Sequence, residues 1–203
     1  MLARGTVFLL GFSFVAGSVL FALAYFTVEI PDANAYVNSQ ATVFQYSNGE
    51  EIGRVGTQNR QIVPLAKIPL NVRHAVLAAE DQSFYSNKAF SITGILRAIV
   101  NNLKGGSLQG GSTITQQYAK TAFLTPSRTI QRKIKELVIA IKLENQLSKD
   151  QIFESYLNTI YFGRGSYGVM TASQQYFNRD VDQLTNAQAA VIASILRSPG
   201  LYD

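Results

Sequence analysis

The 203-residue chain has no cysteine, no tryptophan and a single histidine. Without cysteine there are no disulfides, no thiol nucleophile and no zinc or iron–sulfur site built on thiolates. One histidine leaves little for a multi-histidine metal centre, and any histidine-assisted triad would have to use His74. Charge is scarce as well. Only 15% of residues are charged, against about 25% in typical soluble domains. The deficit is concentrated at one end.

From Val7 to Val28, 22 consecutive residues carry no formal charge. At about 1.5 Å rise per residue a helix of that length spans roughly 30 Å, the hydrocarbon thickness of a bilayer. The spacing predicts a transmembrane helix over 7–28, after a short cytoplasmic end at 1–6. Arg4 and the α-amine precede it, and Glu29 and Asp32 follow. The positive-inside bias then puts the N-terminus in the cytoplasm and the rest of the chain outside. A cleaved signal peptide is the alternative, because Ala33-Asn34-Ala35 has the form of a cleavage site. The apolar run is longer than the usual 7–15 residues or so of a signal peptide. Apart from Arg4, the chain has 17 basic and 13 acidic residues. That balance suits anionic lipid headgroups or a phosphorylated substrate, and equally an ordinary soluble domain. No nucleic-acid motif is present, so nucleic acid is not an expected partner.

At roughly 100–200 residues per domain, the remainder is one sizeable domain. Residues 29–68 read as an extended lead-in with a β-hairpin, ATVFQY and EIGRVG flanking Ser47-Asn48-Gly49. Beyond Pro69 the pattern is helical. Val72, Ala75, Val76 and Ala79 fall on one face, and Ile92 to Leu103 repeat the period up to Gly105-Gly106. Further helices are expected after Gly110-Gly111 and from Thr129 to about Asn145. Another opens on the capping box of Ser148 and Gln151, is broken at GRGSYG, and is followed by the last from Asn186 to Leu196. The fold class is mainly α.

Three features carry charge or polarity where helices rarely place it. Glu80-Asp81 ends an apolar run at a helix C-terminus, where the macrodipole disfavours acids. A carboxylate set against apolar neighbours suits general acid or base work; a solvated helix end is the plain alternative. The second feature is Gly110-Gly111-Ser112-Thr113 leading into Gln116, Gln117 and Lys120. Two glycines let the backbone approach a ligand, and the following helix N-terminus offers N–H groups to an anion. It is not a Walker loop, and a capped helix after a flexible turn reads equally well. In the third, Arg132, Lys133 and Glu136 share one helix side, as a phosphate site or a solvated ion-paired face. Lys149, Asp150 and Glu154 have spacing ordinary for an exposed surface, and His74 reads as packed or surface-lying.

In order, AAEDQSFY, GGSTITQQYAK, RKIKE, KDQIFESYLNTIYFGRGSYG and AAVIASILRSPGLY closely resemble the motifs of the peptidoglycan glycosyltransferases. These are the outer domains of class A penicillin-binding proteins and the monofunctional transglycosylases. The resemblance implies a lysozyme-like, two-lobed domain over 69–203, truncated at its C-terminal end, whose smaller lobe touches the membrane. It implies polymerisation of lipid II with inversion, at the outer face of the bacterial plasma membrane. Glu80 would be the general base and Glu136 the second essential carboxylate. Lys120, Arg132 and Lys133, with Arg97, would neutralise the departing pyrophosphate, and Gly110, Gly111, Ser112, Thr113, Gln116 and Gln117 would line the donor cleft. No cofactor is implied as required, and a divalent cation on the pyrophosphate is compatible. Expected partners are lipid II, the growing glycan strand, membrane lipids and other cell-wall synthesis proteins.

The chain departs from the family pattern at Gln82, Asn87, Ala89 and Thr121. Two other readings share the resemblance: a non-catalytic wall-binding or scaffold member of the fold, and a lysozyme-like hydrolase. Retention of Glu80 and Glu136 argues against the first. The basic third motif argues against the second, since hydrolysis releases no pyrophosphate.

Overall fold

The computed structural model describes residues 11, 12, 15, 17, 19, 21–30, 41–56, 61–87, 112–125, 127 and 129–201, with side chains throughout except at 41–45 and 51–56. These residues are mainly helical. Much of the expected span over 7–28 lies outside them. Residues 21–27 are helical, and among the described residues no helix is long and apolar enough to cross a membrane. The helix expected over 92–103 also lies outside the described residues.

The lead-in forms an antiparallel hairpin, β1 (Ala41–Gln45) with β2 (Glu51–Gly56). Its turn is wider than the two-residue kind that Asn-Gly signals. Gly49 takes φ +84°, and its N–H bonds Tyr46 O at 2.9 Å. The register slips between Phe44 and Gln45.

Among the described residues six helices follow: α1 (Leu70–Glu80), α2 (Ile114–Phe123), α3 (Ile130–Gln146), α4 (Lys149–Thr159), α5 (Val169–Phe177) and α6 (Asn186–Ile195). Four start at side-chain caps that satisfy otherwise orphaned N–H groups: Thr113, Thr129, Ser148 and Thr185. Ser148 and Thr185 close full capping boxes with Gln151 and Gln188. The expected starts at Thr129, Ser148 and Asn186 therefore agree with the structure. Helix α5 was not expected. Its buried side chains are Val169, Thr171, Ala172 and Ser173, which are too small and polar to print an apolar period.

α2 packs on both α3 and α4, while α1 packs on α6. Ile68, Val72, Val76, Ile114, Ile139, Phe153, Tyr156 and Leu157 are buried between them. Residues 21–30 reach the same body. Lys142 Nζ donates to Val28 O at 2.5 Å and lies 5.0 Å from the centre of the Tyr25 ring.

The segment before α1 is sewn to α4. Asn158 Oδ1 accepts from Val63 N at 2.9 Å, and its Nδ2 donates to Val63 O at 2.9 Å. Glu154 Oε2 accepts from Leu65 N at 2.6 Å. GRGSYG then turns back over this clip. Gly168 sits at φ +88°, and a Cβ there would lie 2.9 Å from Asn158 O, so only glycine fits. The exposed-surface expectation for Glu154 is thereby corrected, because its carboxylate is a backbone acceptor for a segment 89 residues away. Asn158→Ala would leave both polar groups of the buried Val63 unpaired, at about 1–3 kcal/mol per group. Loss of stability by about 2–4 kcal/mol is expected, read as a lower urea midpoint with unchanged slope.

Candidate active site

Glu80 is the last residue of α1 and half-buried. Gln117, one turn into α2, donates Nε2–H to Glu80 Oε2 at 2.8 Å. Among the described residues Glu80 Oε1 has no hydrogen-bond partner. The carboxylate thus has a fixed oxygen and an open one. On its far side, the Gln117 amide oxygen accepts from the Tyr156 hydroxyl of α4 at 3.4 Å.

Asp81 turns the other way. Its Oδ2 accepts the N–H of Ile114 at 3.2 Å, at the start of α2, and Ser83 Oγ donates to Oδ1 at 3.4 Å. The Glu-Asp pair therefore grips α2 at two levels, by Asp81 at its first residue and by Glu80 one turn on. Phe84 is buried, and Tyr85 donates its hydroxyl to Asp150 Oδ1 at 2.8 Å. Burial, then this acidic partner, push the Tyr85 phenol up to about 12. It stays a donor at any working pH.

The second cluster surrounds Glu136, which is only 2% exposed. Arg132 NH1 meets its Oε2 at 2.6 Å, and Lys133 Nζ meets its Oε1. Lys133 also donates to Ser112 Oγ at 2.9 Å, tying the residue before α2's cap to the first turn of α3. Arg132 Nε is buried with no hydrogen-bond partner among the described residues. Burial of the carboxylate rules out a solvated face for Glu136, while Lys133 is half-exposed.

Thr113 and Gln116 are buried at the head of α2, where Thr113 Oγ1 accepts from Gln116 N at 3.3 Å. Lys120 lies exposed in the last turn of α2 and makes no ion pair among the described residues. It does not join the Glu136 cluster. Arg97, Gly110, Gly111 and Ala89 lie outside the described residues. At three of the departures from the family pattern the side chains bond locally: Gln82 Nε2 to Ala78 O at 3.3 Å, Asn87 Nδ2 to Ser83 Oγ, and Thr121 Oγ1 to Gln117 O at 2.9 Å. His74 is an exposed residue of α1.

Sequence reasoning missed a third polar group. Thr115, fully buried, donates to Glu144 Oε1 at 2.6 Å. The same oxygen takes Lys149 Nζ at 2.7 Å, whose ammonium lies 4.5 Å from the centre of the Phe84 ring. Lys149 is therefore no surface lysine. It joins α2, α3, α4 and the segment after Asp81. A polar residue two positions after a helix cap was the available signal.

A family model described as Transglycosylase matches residues 48–203. The chain belongs to the transglycosylase family. It is 47% identical over 191 residues to penicillin-binding protein 1A of Mycobacterium tuberculosis, covering 91% of this chain and 23% of that protein. It is 44% identical over 207 residues to penicillin-binding protein 1A of Mycolicibacterium smegmatis, covering 98% and 26%. Against penicillin-binding protein 1F of Bacillus subtilis the identity is 46% over 157 residues, covering 77% and 22%. This transglycosylase-family chain thus spans about a quarter of the length of the curated relatives it matches.

Beside Glu80, Asp81 has a titration of its own. Burial raises its pKa, and the Ile114 N–H and Ser83 hydroxyl offset part of that rise. A raised carboxyl pKa means the folded protein binds the proton more tightly than the unfolded chain does. The ionised group therefore costs stability at neutral pH, and the cost vanishes as pH falls to the unfolded value. The stability of the wild type minus that of Asp81→Asn should rise between about pH 7 and about pH 4. Thermal denaturation of both proteins at each pH checks this, and a flat or falling difference contradicts it.

Proposed function

We propose that the chain polymerises lipid II into β-1,4-linked glycan strands, releasing undecaprenyl pyrophosphate. The observation that carries this reading is that one helix serves two charged centres. Gln117 of α2 holds Glu80, and Ser112 just before α2 receives Lys133 of the Arg132–Lys133–Glu136 cluster. A sugar hydroxyl needs a base, and a departing pyrophosphate needs cations and N–H donors. Both provisions are tied to the same ten-residue helix.

In this mechanism the open Oε1 of Glu80 takes the proton of the acceptor's 4-hydroxyl. The oxygen attacks the anomeric carbon of the donor from the face opposite the pyrophosphate, the bond to the pyrophosphate breaks, and configuration inverts. Lys133, Arg132 and the exposed Lys120, with Arg97, receive the negative charge as it develops. The Arg132 Nε–H, without a hydrogen-bond partner among the described residues, is a donor suited to a phosphate oxygen. Glu136 holds Arg132 and Lys133 in one geometry so that they need no reorganisation at the moment of reaction. Gly110, Gly111, Thr113 and Gln116 belong to the donor cleft. No resident cofactor is required in this reading, and a divalent cation bound to the pyrophosphate is compatible with it.

The domain over 69–203 is read as lysozyme-like and two-lobed, held at the outer face of the plasma membrane by the apolar run 7–28 and in contact with membrane lipids and other cell-wall synthesis proteins. Exposed Phe12, Val15, Val19, Leu23 and Phe26 support that placement, because such side chains are stable in lipid and costly in water.

Glu80→Gln keeps the shape but cannot accept a proton. Polymer formation from lipid II, scored with and without a muramidase, should fall at least about 100-fold, with little change in melting temperature. Activity within about threefold of wild type would remove Glu80 from the mechanism. Separately, the chain should remain with membranes through a high-salt wash and leave only in detergent. A soluble product starting near Tyr36 would favour a cleaved leader.

A further inference from the structure

The Glu80–Gln117 contact has an ambiguity that shape does not resolve. A side-chain amide is nearly symmetric, with a donor at one end and an acceptor at the other. In the observed orientation, Gln117 gives its NH2 group to Glu80. Turned over, it would set its carbonyl oxygen against a carboxylate, acceptor facing acceptor, and the general base would be repelled from its place.

We propose that Tyr156 is a positioning residue that locks the Gln117 amide in its donating orientation and so holds Glu80 as an oriented base. This role rests on the function proposed above and deepens it. Tyr156 is fully buried on α4, and Gln117 Oε1 is the acceptor of its hydroxyl at 3.4 Å. Among the described residues that hydroxyl has no other acceptor. If the amide turned over, the phenolic hydrogen would be buried without a partner, a state proteins avoid. The lock thus works from both ends, by repulsion at Glu80 and by an orphaned hydrogen at Tyr156. Burial, then the charges of Glu80 and Asp81, raise the Tyr156 pKa well above its usual value, so the phenol remains a donor across the working range.

An N–H donated to a carboxylate favours its charged form over the protonated one. Losing the lock should therefore appear at the acid limb of the pH–rate profile. The other ionisable groups around the pair are identifiable. Asp81 adjoins Glu80, and Lys120 lies one turn beyond Gln117 on α2. From α3 come Arg132, Lys133, Glu136 and Glu144, and from α4 Lys149, whose charge acts on Asp81. Helix α6, packed on α1, carries no charged residue. None of these groups is altered by changing Tyr156 to phenylalanine.

The test is lipid II polymerisation by the full chain in detergent, for wild type, Tyr156→Phe, Gln117→Ala and the double variant. Tyr156→Phe should lower kcat about 3- to 10-fold with KM within about twofold, and move the acid limb up by about half a pH unit. In the Gln117→Ala background the same change should have no further effect on the limb, since the amide it controls is gone. A purely structural tyrosine would lower the melting temperature and act multiplicatively with Gln117→Ala, without moving the limb. Replacing Tyr156 by 3,5-difluorotyrosine, a stronger donor of similar shape, guards against a Tyr156→Phe protein that does not fold. It should move the limb downward. A limb that stays in place in either protein overturns the role of Tyr156 alone, provided the wild type polymerises. A wild type that makes no polymer overturns the proposed function and this role together.

Discussion

A carboxylate withdrawn from water sets the terms for the rest of the site. Glu136 is almost wholly buried, and an ionised group there is destabilising by several kcal/mol or so unless paired and hydrogen-bonded. Arg132 and Lys133 supply the pairing from the preceding turn of the same helix, so the cluster is formed as soon as α3 forms. Lys133 then reaches Ser112, so satisfying Glu136 also fixes the residue that leads into α2. Replacing such a cluster by apolar residues of equal volume is often neutral or stabilising elsewhere. Its presence here makes sense as an arrangement kept for the charge it holds in place.

Helix α2 takes on the same kind of strain. Thr115 and Gln116 are buried within it and Thr113 caps it, an expensive set for a ten-residue helix in a core. Glu144 with Lys149 answers Thr115, and Asp81 answers the first backbone N–H. The helix is therefore held by polar contacts from α1, α3 and α4 together with its apolar face around Ile114, Ala119 and Ala122. Polar contacts are directional where apolar ones are not. A helix that must present Gln117 to Glu80 within hydrogen-bonding distance gains from being clamped that way.

The sequence made local matters legible. The capping box of Ser148 and Gln151 announced α4, and Asn48-Gly49 announced the hairpin, because caps and turns depend on a few neighbouring residues. Matters decided by distant partners were not legible. Lys149 and Glu154 have the spacing of a solvated face, yet one is paired with Glu144 and the other accepts from Leu65. Periodicity has nothing to say about a carboxylate that bonds a backbone 89 residues away. Helix α5 was missed because small polar residues can be buried without an apolar stripe. At the site, Glu80 stood out as charge after an apolar run, and Glu136 through two cations on its own helix side. Tyr156 did not, because its place in the helix period is that of a core aromatic and only its hydroxyl sets it apart.

The clip between the lead-in segment and α4 also determines how the protein bears load. A pull on the segment just before Val63 is taken up at Val63 and Leu65 by Asn158 and Glu154 through three hydrogen bonds. These bonds lie upstream of Pro69 and the whole of α1, so tension is shed into α4 before it can reach Glu80. Glu80 at the end of α1 is thereby shielded mechanically from tension in the segment before Val63.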